Sequence, residues 1–229
     1  CHHHPYDRWG QDDYYGMQAY FAPVGVKVGP RGEAVSASGE STAKNPRTGK
    51  TIGAHPLGVV SVPSTSGVDS RTLLAEWLTS PENPYFARNL ANRYWAHFLG
   101  RGLVEPVDDV RETNPPSNPE LLDALAKIVV DSRFDAHAII KAITESASYQ
   151  RSSFPNATNA EDEQNNSRAR LRRPDAEVFF DMICQATGVP EKFAGVPMGV
   201  RAIQLWDNKV PHGFLRLFGR PERISTCEC

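Results

Sequence analysis

From residue 69 onward apolar residues recur at helical spacing in block after block, and each block is punctuated by a start or stop signal. Leu73, Leu74, Trp77 and Leu78 make one stripe, closed by Ser80-Pro81. Asn83-Pro84 then starts a second helix, with Asn as N-cap and Pro at the first helical position, where its missing N–H costs nothing. Phe86, Leu90, Tyr94 and Phe98 follow at four-residue steps with Trp95 alongside, and Gly100 and Gly102 stop it. Asn118-Pro119 repeats the start signal before a buried face of Leu121, Leu122, Leu125, Ile128 and Val129. Asp135 caps a further helix that turns Ile139, Ile140, Ile143 and Ala147 inward. Pro174 opens another with Val178, Phe179, Met182 and Ile183 on one face, stopped by Gly188 and Pro190. A chain punctuated in this way folds as packed helices.

The part before residue 69 reads differently. Tyr14, Met17 and Phe21 predict a short helix over residues 12–21. Residues 23–70 are rich in Pro, Gly, Ser and Thr around the apolar stretches 24–28 and 59–62, which predicts loop with a few short strands and a hairpin. Residues 152–167 are polar and lack apolar periodicity, and read as a mobile connector. The fold class expected is mainly α: a helical domain with a loop-rich segment holding a few short β-strands. The divisions expected are 1–30, 31–68 and 69–229.

Composition narrows the function classes. A net charge of -2 gives no electrostatic footprint for nucleic acid or an anionic membrane. No apolar run reaches the roughly 18–20 residues of a membrane span. The chain opens on Cys1 rather than Met and closes on Cys227-Glu228-Cys229, so it reads as an internal piece of a larger protein. Cys1-His2-His3-His4 is too short for a purification tag and runs on into Pro5-Tyr6-Asp7-Arg8-Trp9. Cys184 falls on an apolar helix face, as an inert thiol does.

Longer strings carry a resemblance. Asn83 to Arg88, then Asn92-Arg93-Tyr94-Trp95-Ala96-His97-Phe98-Leu99-Gly100-Arg101-Gly102, resemble the family known as domain of unknown function 1553, a planctomycete surface domain. Residues 106–111, 114–122, 183–188 and 218–223 continue the likeness. The opening residues 1–15 resemble the C-terminal edge of the partner domain of unknown function 1549. The resemblance implies a large exported protein, periplasmic or at the cell surface, often carrying cytochrome-c-like segments. In such relatives the stretch before the His-Pro pair usually reads Cys-x-x-Cys-His, the haem c attachment pattern. Carried over, Cys1 would form one thioether and His2 would ligate the iron, the first Cys lying before residue 1. His2 and His4 are also candidate ligands for another metal, and short Cys/His clusters equally cap loops.

A second axial ligand would come from His55, His97, Met17 or Met198, with nothing in the sequence to rank them. Asp12-Asp13 and Asp108-Asp109 are paired acids suited to acid/base work or a cation, and more ordinarily to loop caps and ion pairs with Arg101 or Arg111. Arg93 and His97 share a helix face among aromatics, where Arg stacking on a ring is expected. Cys227 and Cys229 form a bare C-x-C. Three functions follow: a haem c-associated protein in electron transfer or redox chemistry at the envelope; a non-enzymatic surface module binding a protein or polysaccharide; and a metal-dependent hydrolase of complex carbohydrate.

Overall fold

The computed structural model describes residues 7–30, 32–58, 68–206 and 210–220. Among them are seven α-helices and two small two-stranded antiparallel sheets. The architecture is mixed helix and strand and partly loop-rich, with 37% of the described residues helical, so the expectation of a mainly helical chain is corrected to that coarser class. The chain divides into two compact units, Cys1–Arg170 and Leu171–Cys229.

The core of the first unit is built from α3 (Phe86–Leu99), α4 (Pro119–Asp131) and α5 (Ala136–Thr144). The expected caps form. Asn118 Oδ1 accepts from Leu121 N at 3.0 Å with Pro119 at the first position, and Asp135 Oδ1 accepts from His137 N at 2.9 Å. Asn83 caps as expected, accepting from Tyr85 N at 2.8 Å and Phe86 N at 2.9 Å, although regular helix begins only at Phe86. Gly100 ends α3 at φ 81°, a left-handed conformation that a Cβ would oppose.

The deepest face of α3 lies one residue away from the aromatic stripe. Ala87, Ala91, Trp95 and Leu99 are buried, while Leu90, Tyr94 and Phe98 flank them half-buried. Alanine at 87 and 91 lets Leu122, Leu125 and Val129 of α4 approach closely, and large aromatics there would not. Ile139 and Ile143 complete the cluster from α5, whereas Ala147 lies beyond the helix end and is exposed. Buried among these apolar groups, Asn92 holds the loop after α3. Its Nδ2 donates to Val104 O and Val107 O, and its Oδ1 accepts from Val104 N, each at 3.0 Å.

Helix α1 (Gln11–Ala19) buries Gln11, Tyr15, Gly16 and Ala19, not the expected Tyr14 and Phe21, which are about half exposed. The first hairpin pairs β1 (Val24–Gly29) with β2 (Gly32–Ala37) in register Val26↔Val35. The second pairs β3 (Thr42–Lys44) with β4 (Thr51–Gly53) and lies against α1. The expected strand at 59–62 falls outside the described residues. Helix α2 (Ser70–Leu78) is capped by Asp69 and buries Leu74; Ser70 Oγ donates to Tyr20 O at 2.8 Å, tying α2 to the end of α1.

Residues 152–167 are irregular but not loosely strung. The Asp162 carboxylate accepts from Gln164 N, Asn165 N and Ser167 N, and bonding to these donors, with the Ser167 side chain the largest cause, holds it far below the usual carboxylate range.

In the second unit, α6 (Ala176–Thr187) buries Ala176 and Phe180 against Phe193, Ala202 and Leu215. Val178 and Met182, expected inside, are exposed, and Cys184 is only half-buried. With apolar residues on more than one side of α6, spacing alone does not orient it. Asp181 accepts from Ala202 N at 2.8 Å and Ile203 N at 3.2 Å, fixing the 3-10 turn Ala202–Gln204 to α6.

Candidate functional site

A cleft of about 820 Å³ opens among α1, the second hairpin, the end of α2 and the approach to α3. Its size lies within the roughly 300–1,000 Å³ usual for small-ligand sites. Among the described residues three large aromatics line it: Trp9, Trp77 and Tyr85. A second cleft of about 580 Å³ shares that aromatic wall and continues over Met17, Leu78, Pro115 and Pro116.

The wall is assembled by contacts across long stretches of chain. Arg8 lies over the Trp9 ring at 4.7 Å from its centroid and donates through Nη2 to Tyr85 Oη. Trp9 and Tyr85 meet edge to face with centroids 5.7 Å apart. Arg8 Nη1 also stands 3.9 Å from Glu112, an exposed and weak pairing. Trp77 enters from the last turn of α2, where Asn83 Nδ2 donates to its carbonyl at 3.1 Å.

The polar side is organised by the turn between β3 and β4. Asn45 is 1% exposed and accepts through Oδ1 from Arg47 N at 3.0 Å, while Gly49 at φ 73° reverses the chain. From that turn Asn45 Nδ2 donates to Asp12 Oδ1 at 3.0 Å and Lys50 Nζ donates to Asp12 Oδ2 at 3.1 Å. The Asn45 amide first, then the Lys50 ammonium, hold the Asp12 carboxyl below its ordinary range. Asp13 Oδ2 accepts from Gly10 N at 2.8 Å and fastens the start of α1.

His55 closes the floor. Its Nδ1 stands 3.1 Å from Pro56 O, and its Nε2 corner points at Gly16 of α1. A Cβ on residue 16 would lie 2.3 Å from that nitrogen, so only glycine admits the ring.

The residues singled out in the sequence fare differently. Cys1, His2 and His4, the proposed haem and metal ligands, lie outside the described residues, as do Cys227 and Cys229. Of the four candidate axial ligands, His55 has one nitrogen at a carbonyl and the other against α1, so it does not fit an iron. His97 is exposed on α3, edge-on to Phe98. Met198 is 66% exposed in the second unit, and Met17 lines the smaller cleft. Among the described residues no three His, Cys, Asp or Glu side chains gather as a metal site. Both acid pairs are held in hydrogen bonds and ion pairs. Asp108 takes a two-pronged pair from Arg93, its Oδ1 at 2.8 Å from Nε, and Asp109 pairs with Arg111 at 2.9 Å. Arg93 thus meets a carboxylate, not the aromatic ring expected. The cleft is not legible in the sequence, because its members lie dozens of residues apart; the turn run Asn45-Pro46-Arg47-Thr48-Gly49 is the one local signal.

The fold and cleft define a small-ligand-sized site on a mixed helix-and-strand scaffold. A family model described as PSD1, protein of unknown function (DUF1553), matches residues 70–228, and the chain belongs to that family. No curated protein and no solved structure matches the chain. No helix among the described residues is long and apolar enough to cross a membrane.

Proposed function

We propose that this chain is a non-enzymatic binding module whose aromatic cleft holds a ligand or partner segment. The observation that carries the reading is the division of labour within the cleft. Trp9, Trp77 and Tyr85 offer contact area, while the neighbouring acids are already engaged: Asp12 by Asn45 and Lys50, Asp13 by the start of α1. A general acid or base has to exchange protons freely, and carboxylates used as struts favour holding over hydrolysing. Ligand-observed saturation-transfer NMR with a fragment library tests the reading. Hits on the wild-type chain that vanish in Trp77→Ala are expected; hits that ignore Trp77 would contradict it.

A second reading is favoured by the Cys1-His2 pair: haem c attachment in an exported protein, working in electron transfer outside the cytoplasm. The family likeness noted for residues 1–15 supports it, together with the partner-domain and planctomycete parts of that likeness. Expression of the parent protein with a c-type maturation system checks it. A Soret band that disappears on Cys1→Ala is expected, and a folded parent protein with no Soret band would remove this reading.

A further inference from the structure

We infer that the ligand class of the large cleft is a neutral saccharide, one pyranose ring stacking on Trp77. This rests on the binding-module reading and narrows it.

The argument is one of matching donors, acceptors and faces. A pyranose has two apolar C–H faces and an equator of hydroxyls, each hydroxyl both donor and acceptor. The C–H face carries slight positive charge and suits the negative face of an indole, and stacking also removes apolar area from water. Trp9 already carries the Arg8 guanidinium on its ring, and Tyr85 is tied edge to face to Trp9 with its hydroxyl held by Arg8, which leaves Trp77 as the platform.

The polar groups on the cleft wall come in both signs and close together. Arg8 offers a planar fork fixed by Trp9 and Tyr85, and the Asp12–Lys50 pair at 3.1 Å sets an acceptor beside a donor. Neighbouring hydroxyls on a sugar need such a donor-acceptor set. An anionic ligand would be drawn to Arg8 and Lys50 and opposed by Asp12 and Asp13. A proline-rich peptide, the other usual guest of an aromatic groove, presents carbonyl acceptors and few N–H donors. It could meet Arg8 and Lys50 but would make little use of the Asp12 carboxylate beside them.

The test is intrinsic tryptophan fluorescence titrated with four neutral hexasaccharides (β-1,4-glucan, β-1,3-glucan, xylan and mannan). A hexagalacturonate and a proline-rich decapeptide serve as the charged and peptide rivals. The variants are Trp77→Ala, Arg8→Ala and, as a control for the exposed indole of the second unit, Trp206→Ala. The expected result is saturable binding of at least one neutral sugar, weakened about tenfold in Trp77→Ala, equivalent to about 1.4 kcal/mol and within the range for a stacked ring. Arg8→Ala should weaken it less, and Trp206→Ala should leave it unchanged.

Binding of the decapeptide or hexagalacturonate alone, lost in Trp77→Ala, would overturn the saccharide inference and leave the binding module standing. Failure of all six probes would also overturn it. The binding-module reading falls separately, if the fragment hits show no dependence on Trp77.

Discussion

The α3–α4–α5 core and the aromatic cleft belong to the same compact unit yet are made in opposite ways. The core is local chemistry repeated: apolar residues three and four apart, a cap before each helix, and contacts between neighbours in sequence. The cleft is long-range chemistry used once. Arg8 reaches Tyr85, Asp12 reaches Asn45 and Lys50, and Gly16 makes room for His55. Where stability is the purpose, many interchangeable apolar contacts suffice; where a shaped surface is the purpose, single polar pairs decide it.

The largest contrast is expected from truncating the core. Ile143 is 0% exposed in the three-helix cluster. Ile143→Ala should cost roughly 2–5 kcal/mol, read as a lower guanidinium midpoint at unchanged slope. A loss well under 1 kcal/mol would mean the cluster is not the stabilising core.

A smaller loss is expected at the cleft floor, and it should be reversible by design. Gly16→Ala drives a methyl into the His55 ring and should cost about 1–3 kcal/mol. In Gly16→Ala/His55→Ala much of that should return, because the clash has lost its partner. Additive losses in the double-mutant cycle would show that the two residues do not meet.

Acid dependence should be local. Asp69 caps α2 and pairs with Arg71, whose side-chain and backbone donors lower its pKa from 3.8 to about 2. A folded pKa below the unfolded one means stability that is complete above 3.8 and lost as pH falls toward about 2. Asp69→Asn should therefore flatten the stability profile in that window, with the variant less stable than wild type above 3.8 and the two converging as pH falls toward about 2. An equal slope in wild type and variant would refute the pairing.

Least of all is expected from Arg93, whose pair with Asp108 is more than half exposed on both sides. Arg93→Ala should shift stability by under about 1 kcal/mol, and less again in high salt. A larger loss would assign Arg93 a packing role beside its ion pair.

The same contrast explains what the sequence disclosed. Asn118-Pro119 and Asp135 announced their helices because a cap acts within three residues. The interior of α4 was legible because its apolar residues occupy one face. On α3 the apolar stripe lies one residue from the buried face, since alanines 87 and 91 are buried and alanine carries little hydrophobic signal. On α1 and α6 spacing points to the wrong face, because Tyr14 and Met182 are apolar in composition yet exposed in the fold. The cleft was illegible for a different reason. Aromatics crowd residues 6–21, but nothing local says that Trp9 meets Tyr85 or that Asp12 meets the turn at Asn45.

The central claim is that the cleft is shaped for a ligand and is separable from the core that supports it. Two measurements on a single variant, Trp77→Ala, test this most directly: the guanidinium unfolding midpoint and saturation-transfer signals from fragments that bind the wild type. The account predicts that the signals vanish while the midpoint falls far less than in Ile143→Ala. Signals that persist, or a midpoint that falls as far as in Ile143→Ala, would contradict it.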